Sequence, residues 1–138
     1  MKEFIQRNRS KEEVNMMSPL TWAYVGDAVY ELSVRTHLVN QMQSKPHKLH
    51  IESIKYVKAK AQADLLAGLQ EELTEEEKDI VRRGRNTESH HTAKNASVEE
   101  YMYATAFESL IGYLYLTKQD ERLEKILNRC IEIKQEVC

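Results

Sequence analysis

Apolar residues recur along this chain at helical spacing, and the recurrence restarts several times. Ser18 followed by Pro19 fits an N-cap and a first helical residue, and predicts a helix from about Pro19 to Leu38. Its apolar positions include Leu20, Val25, Ala28, Val29 and Leu32. A polar loop is expected around Asn40 to Ser44, after which Pro46 opens a second long helical region ending near Glu71. Thr74 with Glu77 is a capping-box pattern that opens a shorter helix through Ile80 and Val81, with Gly84 near its end. Asn86 to Ala96 carries no apolar periodicity and reads as a loop. Ser97 with Glu100 is a second capping box, opening a strongly apolar helix to about Leu116. A last amphipathic helix carries Leu123, Ile126, Leu127, Cys130 and Ile131. No stretch alternates as a strand does, and no proline follows Pro46. The expected fold is all-α.

Length changes the picture only by bounding it. With 138 residues, no internal repeat and no linker, the chain reads as a single domain over 1–138. The longest apolar run, Leu110 to Leu116, is too short to span a bilayer, and Met1 to Ser10 has no signal-peptide core. The two cysteines, Cys130 and Cys138, fit a reducing compartment, and the expected location is cytoplasmic. The net charge of −2 argues weakly against a nucleic-acid partner, but charge is segregated along the chain. Arg82 to Lys94 holds four Lys/Arg and one acid, whereas Glu71 to Glu77 holds five acids and no base. The acidic run is most simply a solvated helix boundary.

Two acids stand out. Asp27 lies mid-helix in YVGDAVYEL, and Glu108 lies mid-helix in ATAFESLIGYLYL. A carboxylate inside an apolar helix needs a cation, a basic side chain or hydrogen bonds. An ion pair or a solvated stripe explains one such acid well enough. Two of them, one on each of the most apolar helices, could instead converge on one hard cation such as Mg²⁺. Gly26 costs about 1 kcal/mol in a helix interior and so marks close packing or close approach of a ligand.

The same residues carry a family resemblance. YVGDAVYEL resembles the ribonuclease III signature helix, L-G-D-[AS]-V-L, and AFESLIGYLYL resembles that family's second motif, F-E-A-L-I-G-A-I-Y-L. The likeness covers about Pro19 to Leu116, and it is closest to the Mini-ribonuclease III branch. It implies the ribonuclease III endonuclease-domain helical fold in a homodimer paired through the signature helices. It further implies Mg²⁺-dependent cleavage of double-stranded RNA, without the family's separate double-stranded-RNA-binding domain. Carried over position by position, Asp27 and Glu108 match the family's catalytic metal ligands. Two departures matter: the family has a glutamate where Ala23 stands and an aspartate where Thr105 stands. The branch resemblance also implies maturation of large-subunit ribosomal RNA precursor, assisted by a large-subunit ribosomal protein.

Arg82, Arg83, Arg85, Asn86, Lys94 and Asn95 are the RNA-contact candidates, because Arg and Lys meet phosphates and Asn can reach 2′-hydroxyls. Arg82 and Arg83 also fit a helix C-terminus without RNA. Glu88 and His91 form one E-x-x-H in a loop, which is too little for a metal centre, and His37, His47 and His50 lack ligand spacing. Tyr101, Tyr103, Tyr113 and Tyr115 are expected in core or interface. Two competing readings stay open at this level. One is a catalytically inactive RNA-binding relative, and the other is a helical interaction protein whose Asp27 and Glu108 are ion-pair members.

Overall fold

In a computed structural model, residues 9–87 and 97–137 are described, and every regular element among them is helical. α1 spans Lys11–Asn15, α2 Pro19–Gln41, α3 Pro46–Val57, α4 Ala59–Leu69, α5 Glu75–Asn86, α6 Val98–Leu116 and α7 Asp120–Val137, with one 3₁₀ turn at Gln70–Glu72. The predicted caps form. Ser18 accepts from the Leu20 amide and Pro19 opens α2. Both capping boxes, Thr74 with Glu77 and Ser97 with Glu100, are complete. These are local devices that satisfy otherwise unpaired amides, so they follow from sequence alone.

α6 is the central helix and packs against α2, α4, α5 and α7. Phe107, Leu110, Ile111 and Leu114 on it are inaccessible to solvent, and Tyr30 of α2 meets Phe107 edge to face at 4.9 Å. A smaller cluster joins Val14, Trp22, Ile80 and Tyr113, with Trp22 Nε1 donating to the Val14 carbonyl at 2.8 Å.

The second long helical region is two helices. Lys58 is extended (φ −63°, ψ 153°) and separates α3 from α4. The break exposes carbonyls at the end of α3, and side chains from elsewhere take them up. Tyr30 Oη donates to the Tyr56 carbonyl at 2.9 Å and Gln62 Nε2 to the Val57 carbonyl at 3.0 Å. α2 also runs further than expected, to Gln41, and its core face differs from the apolar positions picked out by spacing. Trp22, Ala23, Gly26, Tyr30, Val34 and Leu38 are buried, whereas Ala28 and Leu32 are exposed. A helix apolar around most of its circumference does not declare its inner face. On α7, Leu123, Ile126 and Cys130 are buried as expected, and Ile133 joins them.

The acidic run is not uniformly solvated. Glu77 is buried and receives two hydrogen bonds from Arg122, Nε and Nη2 each at 2.8 Å. Burial pushes its carboxyl up, but Arg122 and Thr74 outweigh that and hold it below the usual carboxylate range. The contact ties α5 to α7 across 45 residues of sequence.

Candidate active site

The site begins with two glycines. A Cβ on Gly26 would collide with the Glu108 carbonyl oxygen and lie 2.7 Å from the Gly112 nitrogen. A Cβ on Gly112 would collide with the Trp22 carbonyl oxygen and lie 2.9 Å from the Gly26 nitrogen. α2 and α6 therefore cross with their backbones in contact, which only glycine permits. Close packing of a second helix is the reason for Gly26. A third glycine holds α5 against the same helix: a Cβ on Gly84 would sit 2.6 Å from Ser109 Oγ. The single Ser109 hydroxyl hydrogen is shared between the Thr105 carbonyl at 2.8 Å and the Pro19 carbonyl at 3.1 Å.

Asp27 follows Gly26, and Glu108 lies one helical turn before Gly112, so the crossing brings the two acids together. The Glu108 carboxyl is pushed up to about 9. Its burial is the largest cause, followed by hydrogen bonding to Asp27 and the Asp27 charge, while Gln62 pulls the other way. Contrary to the expectation of two similar apolar surroundings, the acids are unequal. Glu108 is half-buried and Asp27 is exposed. The need for compensation therefore falls mainly on Glu108.

Two like carboxyls held this close fit a hard divalent cation, and Mg²⁺ keeps several waters, so two protein oxygens suffice to hold it. Among the described residues no group of three or more His, Cys, Asp or Glu is placed to bind a metal. The two departures from the family pattern do not enlarge the pair. Ala23 and Thr105 are both buried, and the Thr105 hydroxyl donates to the Tyr101 carbonyl at 3.0 Å.

The basic segment is divided by the structure. Arg83 turns inward: Nη2 donates to the Asn15 carbonyl at 2.8 Å, and its guanidinium lies 4.7 Å over the Trp22 ring. Arg82 is exposed and paired with Asp79, Arg85 Nε donates to Asn86 Oδ1 at 3.3 Å, and Asn86 is exposed. Lys94, Asn95, His90 and His91 lie outside the described residues. His47 and His50 are exposed, and the half-buried His37 stacks edgewise near Tyr56. Tyr113 is fully buried, and Tyr103 and Tyr115 pack on the core.

A family model for the ribonuclease III domain matches residues 20–119. The chain belongs to the ribonuclease III domain family. Both Asp27 and Glu108, with the two crossing glycines, fall inside this ribonuclease III domain. The chain is 49% identical over 131 residues to Mini-ribonuclease 3 of Staphylococcus aureus, covering 94% of this chain and 98% of that one. It is 50% identical over 127 residues to Mini-ribonuclease 3 of a Thermoanaerobacter species, covering 92% and 89%. A crystal structure of a Fusobacterium nucleatum protein, 34% identical, superposes with a TM-score of 0.78 over 90% of this chain and 98% of that one. No helix among the described residues of the ribonuclease III domain is long and apolar enough to cross a membrane.

Sequence reading passed over two features of this domain. Gln62 is buried beside Glu108, and nothing in its sequence surroundings marks it. Lys45, Lys48, Lys55, Lys58 and Lys60 are all exposed on and after α3. They share the segment Lys45–Lys60 with one acid, Glu52, and that charge bias was legible.

Proposed function

We propose that this chain is a Mg²⁺-dependent endoribonuclease that hydrolyses phosphodiester bonds in double-stranded RNA. The observation that carries the reading is the crossing of α2 and α6 at Gly26 and Gly112, which sets Asp27 beside Glu108 within a ribonuclease III domain. Asp27 and Glu108 would hold the cation, which when bound activates water and shields the charge on a scissile phosphate. The chain's own contribution is order. The glycine contact fixes the distance between the acids. Burial of Glu108 makes its ionised form costly until positive charge arrives. The exposed Asp27 leaves one side of the pair open to a polymer too large to enter a pocket.

Arg82, Arg85 and Asn86 at the end of α5, with Lys94 and Asn95, supply phosphate and 2′-hydroxyl contacts in this reading, and the lysines of α3 add positive charge. The active form is a homodimer, each protomer cutting one strand. Support comes from α2, whose Tyr24 and Leu32 are 82% and 68% exposed. Leu32 and Val29 also border an apolar groove completed by Leu127 and Ile131 of α7. By the family resemblance the cellular substrate is large-subunit ribosomal RNA precursor.

The test is incubation with a long RNA duplex and Mg²⁺. Duplex cleavage that stops with chelator and spares single strands is the expected result. Tight duplex binding with no cleavage over a range of Mg²⁺ would instead favour an inactive RNA-binding relative, in which Ala23 and Thr105 record the loss.

A further inference from the structure

Gly84 is buried in the last turn of α5, between Arg83 and Arg85. A Cβ there would lie 2.6 Å from Ser109 Oγ, 2.8 Å from Ser109 Cβ and 3.1 Å from Ala106 Cα. The end of α5 thus rests directly on α6. Ser109 is inaccessible to solvent and follows Glu108 in the chain. Its hydroxyl also reaches the carbonyl of Pro19, the first residue of α2, which carries Asp27. A buried hydroxyl bonded only within its own helix would tie nothing together. This one joins the helices of both acids at the point where α5 lands. The neighbouring Arg83 fixes the same turn from another side, through the Asn15 carbonyl and the Trp22 ring. What the turn leaves to solvent is the exposed Arg82 and Asn86 and the half-buried Arg85.

We propose that Gly84 and Ser109 are positioning residues, whose contact holds the RNA-contacting end of α5 at a fixed offset from Asp27 and Glu108. Phosphate contacts set a protein's register on a duplex. A grip on one phosphate therefore delivers another to the carboxylate pair only if the offset between grip and pair is constant. Misplacing a reacting group by about 1 Å can cost about a hundredfold in rate. The inference rests on the endoribonuclease reading proposed above, with Arg82 and Arg85 as phosphate contacts.

The experiment separates duplex binding from cleavage in the full chain. In Gly84→Ala the new methyl meets Ser109 Cβ, which side-chain rotation does not move, so the end of α5 must shift. Both arginines still meet phosphates, but out of register. Duplex affinity and its salt slope should stay parental by filter binding, while the rate at saturating duplex and Mg²⁺ falls about a hundredfold. Combining Gly84→Ala with Ser109→Gly removes both Ser109 atoms and leaves Ala106 Cα, at 3.1 Å, as the nearest neighbour. Most of the lost rate should return, although the Pro19 bond is gone. Should Gly84→Ala fail to fold, Ser109→Ala removes the hydroxyl without adding bulk, and its rate should fall with affinity unchanged. A parental rate in the single variants, a parallel fall in rate and affinity, or no recovery in the combined variant overturns the positioning role. Parental affinity and salt slope in Arg82→Ala with Arg85→Ala removes the grip, and this inference falls while the nuclease reading stands. No cleavage of duplex by the parent overturns that reading and this inference with it.

Discussion

Gly26 and Gly112 face each other where α2 crosses α6, each so close to the opposite backbone that neither has room for a Cβ. The positions of Asp27 and Glu108 depend on this contact, since each acid sits within one turn of a crossing glycine. Gly26→Ala and Gly112→Ala should therefore push the helices apart. A clash with backbone rather than with a flexible side chain puts the expected loss near the upper end of overpacking, about 3 kcal/mol. Urea unfolding should register that loss, and cleavage should fall although both carboxylates remain. A parental unfolding midpoint for either variant would contradict the close crossing.

Asp27→Asn and Glu108→Gln should each abolish duplex cleavage while the circular dichroism spectrum stays parental. Neutral amides are nearly isosteric with the acids but are poor ligands for a hard cation. Near-normal turnover at saturating Mg²⁺ in either variant would remove that residue from the mechanism.

Stability of the metal-free protein should fall as pH rises. Glu108 is held at about 9 in the fold, against an ordinary value of 4.5. Between those two values the folded state keeps a proton that the unfolded state releases, so raising pH favours unfolding across that window. Mg²⁺ should recover part of the loss, and more at pH 8.5 than at pH 5.5, two buffer settings that fall well apart within the window. Thermal melts of parent and Glu108→Gln, with and without Mg²⁺, check this. The glutamine variant should lack the slope, and an identical pH dependence in both proteins would refute it.

Arg83 and its neighbours should behave differently. Arg83 donates to the Asn15 carbonyl and covers Trp22, so Arg83→Ala should cost about 2 kcal/mol of stability. Arg82→Ala, Arg85→Ala and Lys94→Ala should leave stability nearly unchanged. Each should weaken duplex binding and reduce its salt dependence by a slope of about one unit per lost phosphate contact. Filter binding across a salt series decides it, and an unchanged slope in a variant that combines Arg82→Ala, Arg85→Ala and Lys94→Ala would dismiss the segment as the RNA surface.

Glu77→Gln removes the charge that Arg122 pairs with and leaves Arg122 its bond to the Glu72 carbonyl, at an expected cost of about 3 kcal/mol. The sign with pH is opposite to that of Glu108. Glu77 is held below its ordinary value, so its contribution is present at neutral pH and is lost as pH falls through that lowered range. Acid unfolding should begin at higher pH in the variant than in the parent, and coincident acid transitions would count against the buried pair.

Several features were legible from residues alone because their causes are local. Ser18, Thr74 and Ser97 cap helices through atoms two or three positions away, and the order of the Asp27 and Glu108 segments carried the family likeness. The exposed lysines from Lys45 to Lys60 could have been noticed by the same means. Other features have partners remote in sequence. Glu77 reads as one acid in an acidic run until Arg122 reaches it, and Arg83 reads as one arginine in a basic run until Trp22 lies beneath it. The break at Lys58 takes its helix-end partners from Tyr30 and Gln62. α2 and α6 are apolar around most of their surfaces, so periodicity could not say which faces meet. The tertiary contact of Gly26 with Gly112 decided that, and with it the exposure of Asp27 and the burial of Glu108. Helix formation is governed by neighbours a turn away, whereas the charge a carboxyl can hold depends on what a distant segment brings against it.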